Sequence, residues 1–341
     1  MKLPRVAVIG AGIAGLSAAG RLRDNDISTV LFETLRRPGG RVCTQKQHDR
    51  QFDHGAQYLT PHSRRSAVLF SKWRKAGWIK PWAALAYDLP ERKRLDTSSW
   101  HVAVPSQASL ADNLAAGLDC RYRATVVGIE GEKGSRYLST ETGESFGPFE
   151  IVLCTVPAEA ASPLLAPFPE LASLASQVQS LPCMATMVMF EDEVMVDFEA
   201  AFLSEGPLAW VCRDASKPER PQQECWVLHA TEEWSRRHLE TPTEQVASLM
   251  LSAFAPLCPV ELPPISYCRS HRWRHARAEA PLGLPFCFDD LVGIGVAGDW
   301  CGAANVDGAY WSGIDLADAV VKSLGARNEG RARKRRASDD P

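Results

Sequence analysis

A chain of 341 residues exceeds what one ordinary hydrophobic core holds, so about two domains are expected. Its 45% apolar and 23% charged residues are the composition of a globular protein, and a net charge of -3 gives no electrostatic basis for nucleic acid as the main partner. No apolar run reaches the roughly 18 residues of a membrane span, and Val6 to Ile9 is too short for a signal-peptide core, so a cytoplasmic protein is expected.

Arg5 to Ile9, RVAVI, reads as a short buried strand rich in β-branched residues. It runs into GAGIAG, with Gly10, Gly12 and Gly15, and then into a helical stripe through Leu16, Ala19 and Leu22. Gly10 permits the tight turn, Gly12 lets backbone approach a pyrophosphate, and Gly15 allows the helix to pack closely on the strands. The first helical turn, containing Ala14, offers free N–H groups and a partial positive charge to phosphate. A second strand, Thr29 to Phe32, ends at Glu33, where a carboxylate can accept both ribose hydroxyls of an unphosphorylated adenosine.

PGGRV follows, in which Gly39 and Gly40 expose backbone N–H groups and Arg41 offers a fork to phosphate oxygens. The bland alternative is a surface turn with a solvated arginine. Strands are expected at Ala124 to Ile129 and Ile151 to Thr155, then several antiparallel strands and one helix between Met184 and Arg277. Alternation puts Val227 and His229 on one face of Trp226 to Ala230, and His271, Trp273 and His275 on one face of Ser270 to Ala276. A further strand, Leu291 to Ala297, leads through Gly298 and Asp299 to a helix from Val306, which Asp307 can cap. Gly325 to Pro341 lacks the apolar residues that offset chain entropy, so a disordered basic tail is expected there. The ten cysteines, Cys43 to Cys301, show no CxxC and no zinc-like spacing, which fits free thiols in a reducing compartment and gives no metal site.

The sequence resembles the flavin-containing amine oxidase superfamily and, within it, the renalase family, especially its bacterial members. The resemblance rests on RRPGGRV, FDHGAQYLT (Phe52 to Thr60), PLAWVCRDASKP (Pro207 to Pro218), WVLHATEEWSRRHL (Trp226 to Leu239), SHRWRHAR (Ser270 to Arg277) and AGDWCGAANVDGAYWSG (Ala297 to Gly313). The resemblance implies an α/β fold, α+β overall. It would have a FAD-binding Rossmann-type domain assembled from discontinuous segments and an antiparallel-sheet substrate domain, as in p-hydroxybenzoate hydroxylase. The expected division is 1–75, 118–165 and 290–325 for the FAD domain, 76–117 and 166–289 for the substrate domain, and 326–341 for the tail.

By the same resemblance FAD is held non-covalently. Gly39, Gly40 and Arg41 lie along its pyrophosphate, Val126 lies near adenine, and Gly55, Ala56, Gln57 and Tyr58 contribute from FDHGAQYLT. Gly298 and Asp299 hold the ribityl chain, and Asp307, Gly308 and Ala309 open a helix aimed at the flavin's N1–C2 edge. His229, His271 and Trp273 are then candidates for an aromatic wall with donors for a nicotinamide amide, approached by Tyr58 and Trp311 from the cofactor side. The implied reaction oxidises 2- or 6-dihydro isomers of NAD(P)H to NAD(P)+, with dioxygen as acceptor and hydrogen peroxide as product. Two departures stand out: VCTQKQ follows GGR where a more basic stretch is expected, and Asn305 replaces an arginine beside the flavin. The alternatives are an amine oxidase, with Tyr58 and Trp311 as its aromatic pair, and a flavin-binding interaction protein with little turnover.

Overall fold

The computed structural model describes residues 5–47 and 50–338. The chain forms two compact units, each assembled from separated segments: Met1–Gly40, Leu114–Gln179 and Glu279–Pro341 make the first, and Arg41–Asn113 with Ser180–Ala278 the second.

The first unit is built on a six-stranded sheet in which Val6–Ile9 pairs in parallel with Thr29–Glu33 on one side and Ile151–Cys154 on the other. Asp119–Tyr122 extends one flank, Ile294–Val296 the other, and Cys287–Asp289 closes that edge antiparallel. Val6–Ile9 and Ile151–Cys154 are buried along their whole length, as strands covered on both faces must be, and this explains their unbroken apolar sequence. Strand order reverses at Val6–Ile9, which makes the carboxyl end of that strand a topological switch point. The helices Ile13–Arg23 and Val306–Ser338 pack together, with Ser17 Oγ donating to the Tyr310 carbonyl at 2.8 Å. A Cβ on Gly313 would overlap the Ala14 carbonyl and Ser17 Oγ, so the crossing requires glycine. A three-stranded antiparallel sheet, Val126–Glu132, Ser135–Thr140 and Ser145–Phe149, belongs to the same unit.

The second unit carries a seven-stranded sheet in the order Ile265–Ala278, Ser180–Phe190, Cys225–Ala230, Leu208–Arg213, Ala200–Phe202, Ala86–Asp88 and Lys93–Arg94. Period-two alternation divides its faces. Met184, Val188, Trp226 and Leu228 join Val246, Met250 and Phe254 of the helix Thr243–Phe254 in one core. Met187, Cys225 and Val227 point the other way and pack against Phe52, which ends a small hairpin of Gln45–Gln47 and Arg50–Phe52.

Three expectations change. Residues 41–75 join the second unit, because Arg50–Phe52 and the loop after it lie on that unit's sheet, while 114–117, 166–179 and 279–289 join the first. Two α-helices, Glu232–Arg237 and Thr243–Phe254, stand where one was expected. The last helix runs to Ser338, so the backbone of residues 326–338 is helical rather than disordered; adding residues to an existing helix needs no new nucleus, and Ala, Arg, Lys and Glu are good helix formers. Of the expected tail, 339–341 lie outside the described residues. Among the described residues no helix is long and apolar enough to cross a membrane.

Candidate functional site

Gly10 ends the first strand at a φ of +99°, and its N–H donates to the Phe32 carbonyl at 2.8 Å. A Cβ on Gly15 would overlap the Gly10 carbonyl and lie 2.6 Å from Thr155 Oγ1, so helix and strand meet there without side-chain space. Gly12 is different. A Cβ placed on it has nothing within 4 Å, and one on Gly40 would lie 3.8 Å from Gly12 Cα. The Gly39 N–H donates to the Ala11 carbonyl at 2.8 Å, so the two glycine turns run side by side. Gly12 is also the N-cap of Ile13–Arg23, with no side chain capping it and no acidic residue in the first turn. Orphan N–H groups, a positive helix end and an open backbone cradle are what a pyrophosphate requires, and the residues present fit one.

Glu33 is buried, and the backbone aims both its oxygens: Ala11 N–H donates to Oε2 at 2.8 Å and Leu35 N–H to Oε1 at 2.9 Å. A carboxylate offers about four acceptor positions, so two hydroxyls can still be received. The Arg123 and Ala124 N–H groups donate to the Leu35 and Glu33 carbonyls at 3.0 and 2.9 Å, which brings buried Val126 into the same neighbourhood.

Because the sheet is parallel, Gly10, Glu33, Thr155 and Gly298 all stand at the same edge, beyond the carboxyl ends of their strands. Asp299, also buried, shares that edge with Glu33. The Gly298 N–H donates to Ser312 Oγ at 2.9 Å, and a Cβ on Gly298 would press on the Trp300 ring at 2.8 Å. Trp300 Nε1 donates to the Val156 carbonyl at 3.0 Å, tying this turn to the neighbouring strand end. The cap of the following helix is Asn305 rather than Asp307: its Oδ1 accepts from Gly308 N–H at 2.7 Å and its carbonyl from Ala309 N–H at 3.0 Å. Asp307 lies in the first turn, and a Cβ on Gly308 would overlap the Ala303 carbonyl. Trp311 is half-buried and meets Tyr310 edge-on, centroids 5.2 Å apart. Cys301 is buried, which pushes its thiol well above the ordinary range.

In the second unit, Phe52 to Tyr58 is held by a buried network that sequence reasoning missed. Arg220 donates to Asp53 Oδ2 from Nε at 2.9 Å and Nη2 at 2.7 Å, while Thr44 Oγ1 at 2.5 Å and Gln107 N–H at 3.1 Å donate to Oδ1. Lys217, with no side-chain exposure, donates to Asp214 Oδ1 at 2.6 Å and Gln57 Oε1 at 3.2 Å. Asp214 Oδ2 accepts the Asp53 N–H at 3.1 Å. Burial opposes the Asp53 charge, but Arg220, Lys217 and the hydrogen bonds outweigh it and hold the carboxyl below its ordinary range. Burial raises the Asp214 carboxyl, reinforced by Asp53 and opposed by Lys217. Gln57 Nε2 donates to the Asp53 carbonyl and, at 3.1 Å, to that of Gly55. A Cβ on Gly55 would overlap the Arg41 carbonyl, which accepts the Ala56 N–H at 3.0 Å; the Arg41 guanidinium donates to the Ala276 carbonyl at 3.2 Å. Tyr58 stacks on Trp100, centroids 4.1 Å apart, in an aromatic cluster with Trp210.

His229 and His271 flank Ala185 at one register level across three adjacent strands, so they share a face, and Trp273 lies opposite Cys183 farther along. Against this face lies His54, which the sequence reading did not single out. Its ring is 5.3 Å from Trp273 in a stacked arrangement and 5.0 Å from His271 edge-on. Its carbonyl accepts from Trp273 Nε1 at 3.0 Å and His229 Nε2 at 3.1 Å. Those two donors are therefore engaged within the protein and are not offered to a nicotinamide amide, contrary to the expectation. Burial pushes His229 and His54 down to about 4, with His271 adding to the effect on His54, and burial with Arg269 lowers His271. The wall presents neutral imidazoles at neutral pH. Cys43 Sγ lies 3.7 Å from His54 Nε2, but burial raises that thiol to about 12, so the pair is no thiolate–imidazolium dyad.

A family profile described as flavin containing amine oxidoreductase matches residues 105–321, and one described as NAD(P)-binding Rossmann-like domain matches 8–73. Protoporphyrinogen oxidase 2, chloroplastic/mitochondrial, of Arabidopsis thaliana is 39% identical over 56 residues, covering 16% of this chain and 11% of that protein. The flavin-containing amine oxidase of Oncorhynchus mykiss is 43% identical over 61 residues, 18% of this chain and 12% of that one. The matched stretch spans little more than a tenth of either relative's length. The crystal structure of a provisionally assigned protoporphyrinogen oxidase from Exiguobacterium sp. 255-15 shares the fold, with a TM-score of 0.74 at 14% identity over 94% of this chain and 99% of that one.

Proposed function

The chain belongs to the flavin containing amine oxidoreductase family, and from that membership we propose that it is a FAD-dependent oxidoreductase, renalase-like, which oxidises 2- or 6-dihydro isomers of NAD(P)H to NAD(P)+. Gly10, Gly12, Ala14, Gly15, Glu33, Gly39, Gly40 and Val126 would hold the adenosine diphosphate part, and Gly298, Asp299 and the turn Asp307 to Ala309 the ribityl and ring portion. When bound, non-covalently, FAD supplies the hydride acceptor and a route for the electrons to dioxygen. The ten free thiols suit a cytoplasmic setting.

The observation that carries the substrate reading is the neutral wall of His54, His229, His271 and Trp273. Hydride transfer to a flavin asks for proximity and alignment, with reacting atoms about 3–3.5 Å apart, and not for a strong acid or base. A flat, uncharged dihydropyridine ring suits stacked neutral imidazoles and indole, whereas a protonated amine would want a carboxylate. The Asp53 carboxylate, next to His54 in the chain, is fully engaged by Arg220, Lys217, Thr44 and Gln107.

Mixing the FAD-loaded protein anaerobically with the 2- and 6-dihydro isomers is expected to bleach the flavin absorbance within the mixing experiment and to release NAD(P)+. No bleaching with any isomer removes the reading. Oxidation of an amine is the second reading, favoured by the name of the Oncorhynchus mykiss relative; peroxide release with an amine panel, and none with the dihydro isomers, would put it first.

A further inference from the structure

The edge strand Ile265–Ala278 carries four arginines, and their pairing separates one from the rest. Arg272 and Arg274 meet Glu240 at 3.6 and 2.6 Å, and Arg277 meets Glu232 at 3.5 Å. Arg269 has no ion pair among the described residues. It lies opposite Met187, on the face shared by Tyr267 and His271, and its charge helps to lower His271.

A second cation stands beside it. Arg50 lies over the Tyr267 ring, 5.4 Å from its centroid, while Phe52 stacks on that ring at 5.4 Å. Arg50 likewise has no ion pair among the described residues, and its Nε is buried without a hydrogen-bond partner. Gln45 Nε2 donates to the Tyr267 hydroxyl at 3.0 Å, and Arg269 hydrogen-bonds the same side chain, so one tyrosine meets both arginines. Like charges brought together repel, and the arrangement is relieved when an anion joins them. An arginine fork matches phosphate oxygens better than any other side chain does.

We propose that Arg50 and Arg269 form a subsite for the phosphate ester nearest the nicotinamide ring, continuous with the His271–Trp273 part of the wall. This rests on the dihydronicotinamide reading, and names what that substrate must carry: a phosphorylated ribose rather than a bare nucleoside. The subsite also disfavours a cationic amine.

Isothermal titration of the FAD-loaded protein with nicotinamide mononucleotide and with nicotinamide riboside tests it, since the probes differ only in the phosphate. The wild type should prefer the mononucleotide by about tenfold, the scale of one charge-assisted hydrogen bond. Arg50→Gln and Arg269→Gln should each remove most of that preference without weakening the riboside, Arg269→Lys should restore part of it, and Arg274→Gln should leave it intact. Equal affinities in the wild type, binding of neither probe, or full preference retained in both Gln variants overturns the subsite. A preference that follows these variants, without bleaching by any dihydro isomer, sustains the subsite and removes the proposed reaction. Bleaching as fast with riboside isomers as with mononucleotide isomers does the reverse.

Discussion

His54 and His229 sit in surroundings that refuse a proton. Both are pushed down to about 4, chiefly by burial, against about 6.5 for a free histidine. The unfolded chain therefore takes up protons as pH falls below about 6.5, while the folded chain resists until about 4, so stability is full above this window and declines through it. Urea midpoints measured between about pH 7 and pH 4 should show that decline, and His229→Asn should flatten it; a variant with the same slope as wild type would show that His229 contributes no linkage. The neighbouring charges are arranged on the same principle of complete pairing. Asp53, Asp214, Lys217 and Arg220 are all buried, and each is tolerable because an opposite charge stands beside it, Arg220 and Lys217 at Asp53 and Lys217 at Asp214. Their combined effect is to fix Gln57 and the backbone of Asp53 before any ligand arrives.

The strand–turn–helix from Val6 to Arg23 was legible from its residues, because β-branched apolar run, glycine spacing and helical stripe all point to one local structure. The same holds for Glu33 at its strand end and Gly298 at its own. Lys217, Asp214, Arg220 and His54 were not legible, since their meaning lies in partners far along the chain: Asp53 and Arg220 meet across 167 positions. The DASKP segment offered the signal, a lysine and an acid three residues apart, but three-residue spacing is equally common on solvated turns. Alternation put His229 with Val227 and His271 with Trp273, but only strand pairing brings His229 and His271 onto one face, and alternation could not reveal that a backbone carbonyl already receives the His229 and Trp273 donors. Between elements, the tightest crossing gives a paired test. Gly313→Ala should cost about 1–3 kcal/mol by forcing two helices apart, whereas Gly20→Ala, on the helix it faces and with nothing within 4 Å of the added Cβ, should stabilise by about 0.5–1 kcal/mol. Thermal melts that order these variants the other way would contradict the packing described.

For the molecule as a whole, ligand linkage offers the broadest check. FAD at about one hundred times its Kd should stabilise the protein by about 2.7 kcal/mol, seen as a rise in melting temperature. Gly12→Val should leave the ligand-free melt unchanged, because the Cβ position is open, yet abolish that rise by filling the cradle; a Gly12→Val protein that still responds to FAD would place the cofactor elsewhere. The central sheet also has a consequence for how the chain is made. Val6–Ile9 needs Ile151–Cys154 at its side, and that strand needs Ile294–Val296 beyond it. A ribosome releases these three pieces in turn, with the whole of the second unit's chain emerging between them. The earliest strand must wait, one flank open, for a partner more than a hundred residues later, which makes the newborn chain a natural client for chaperones that bind exposed β-segments.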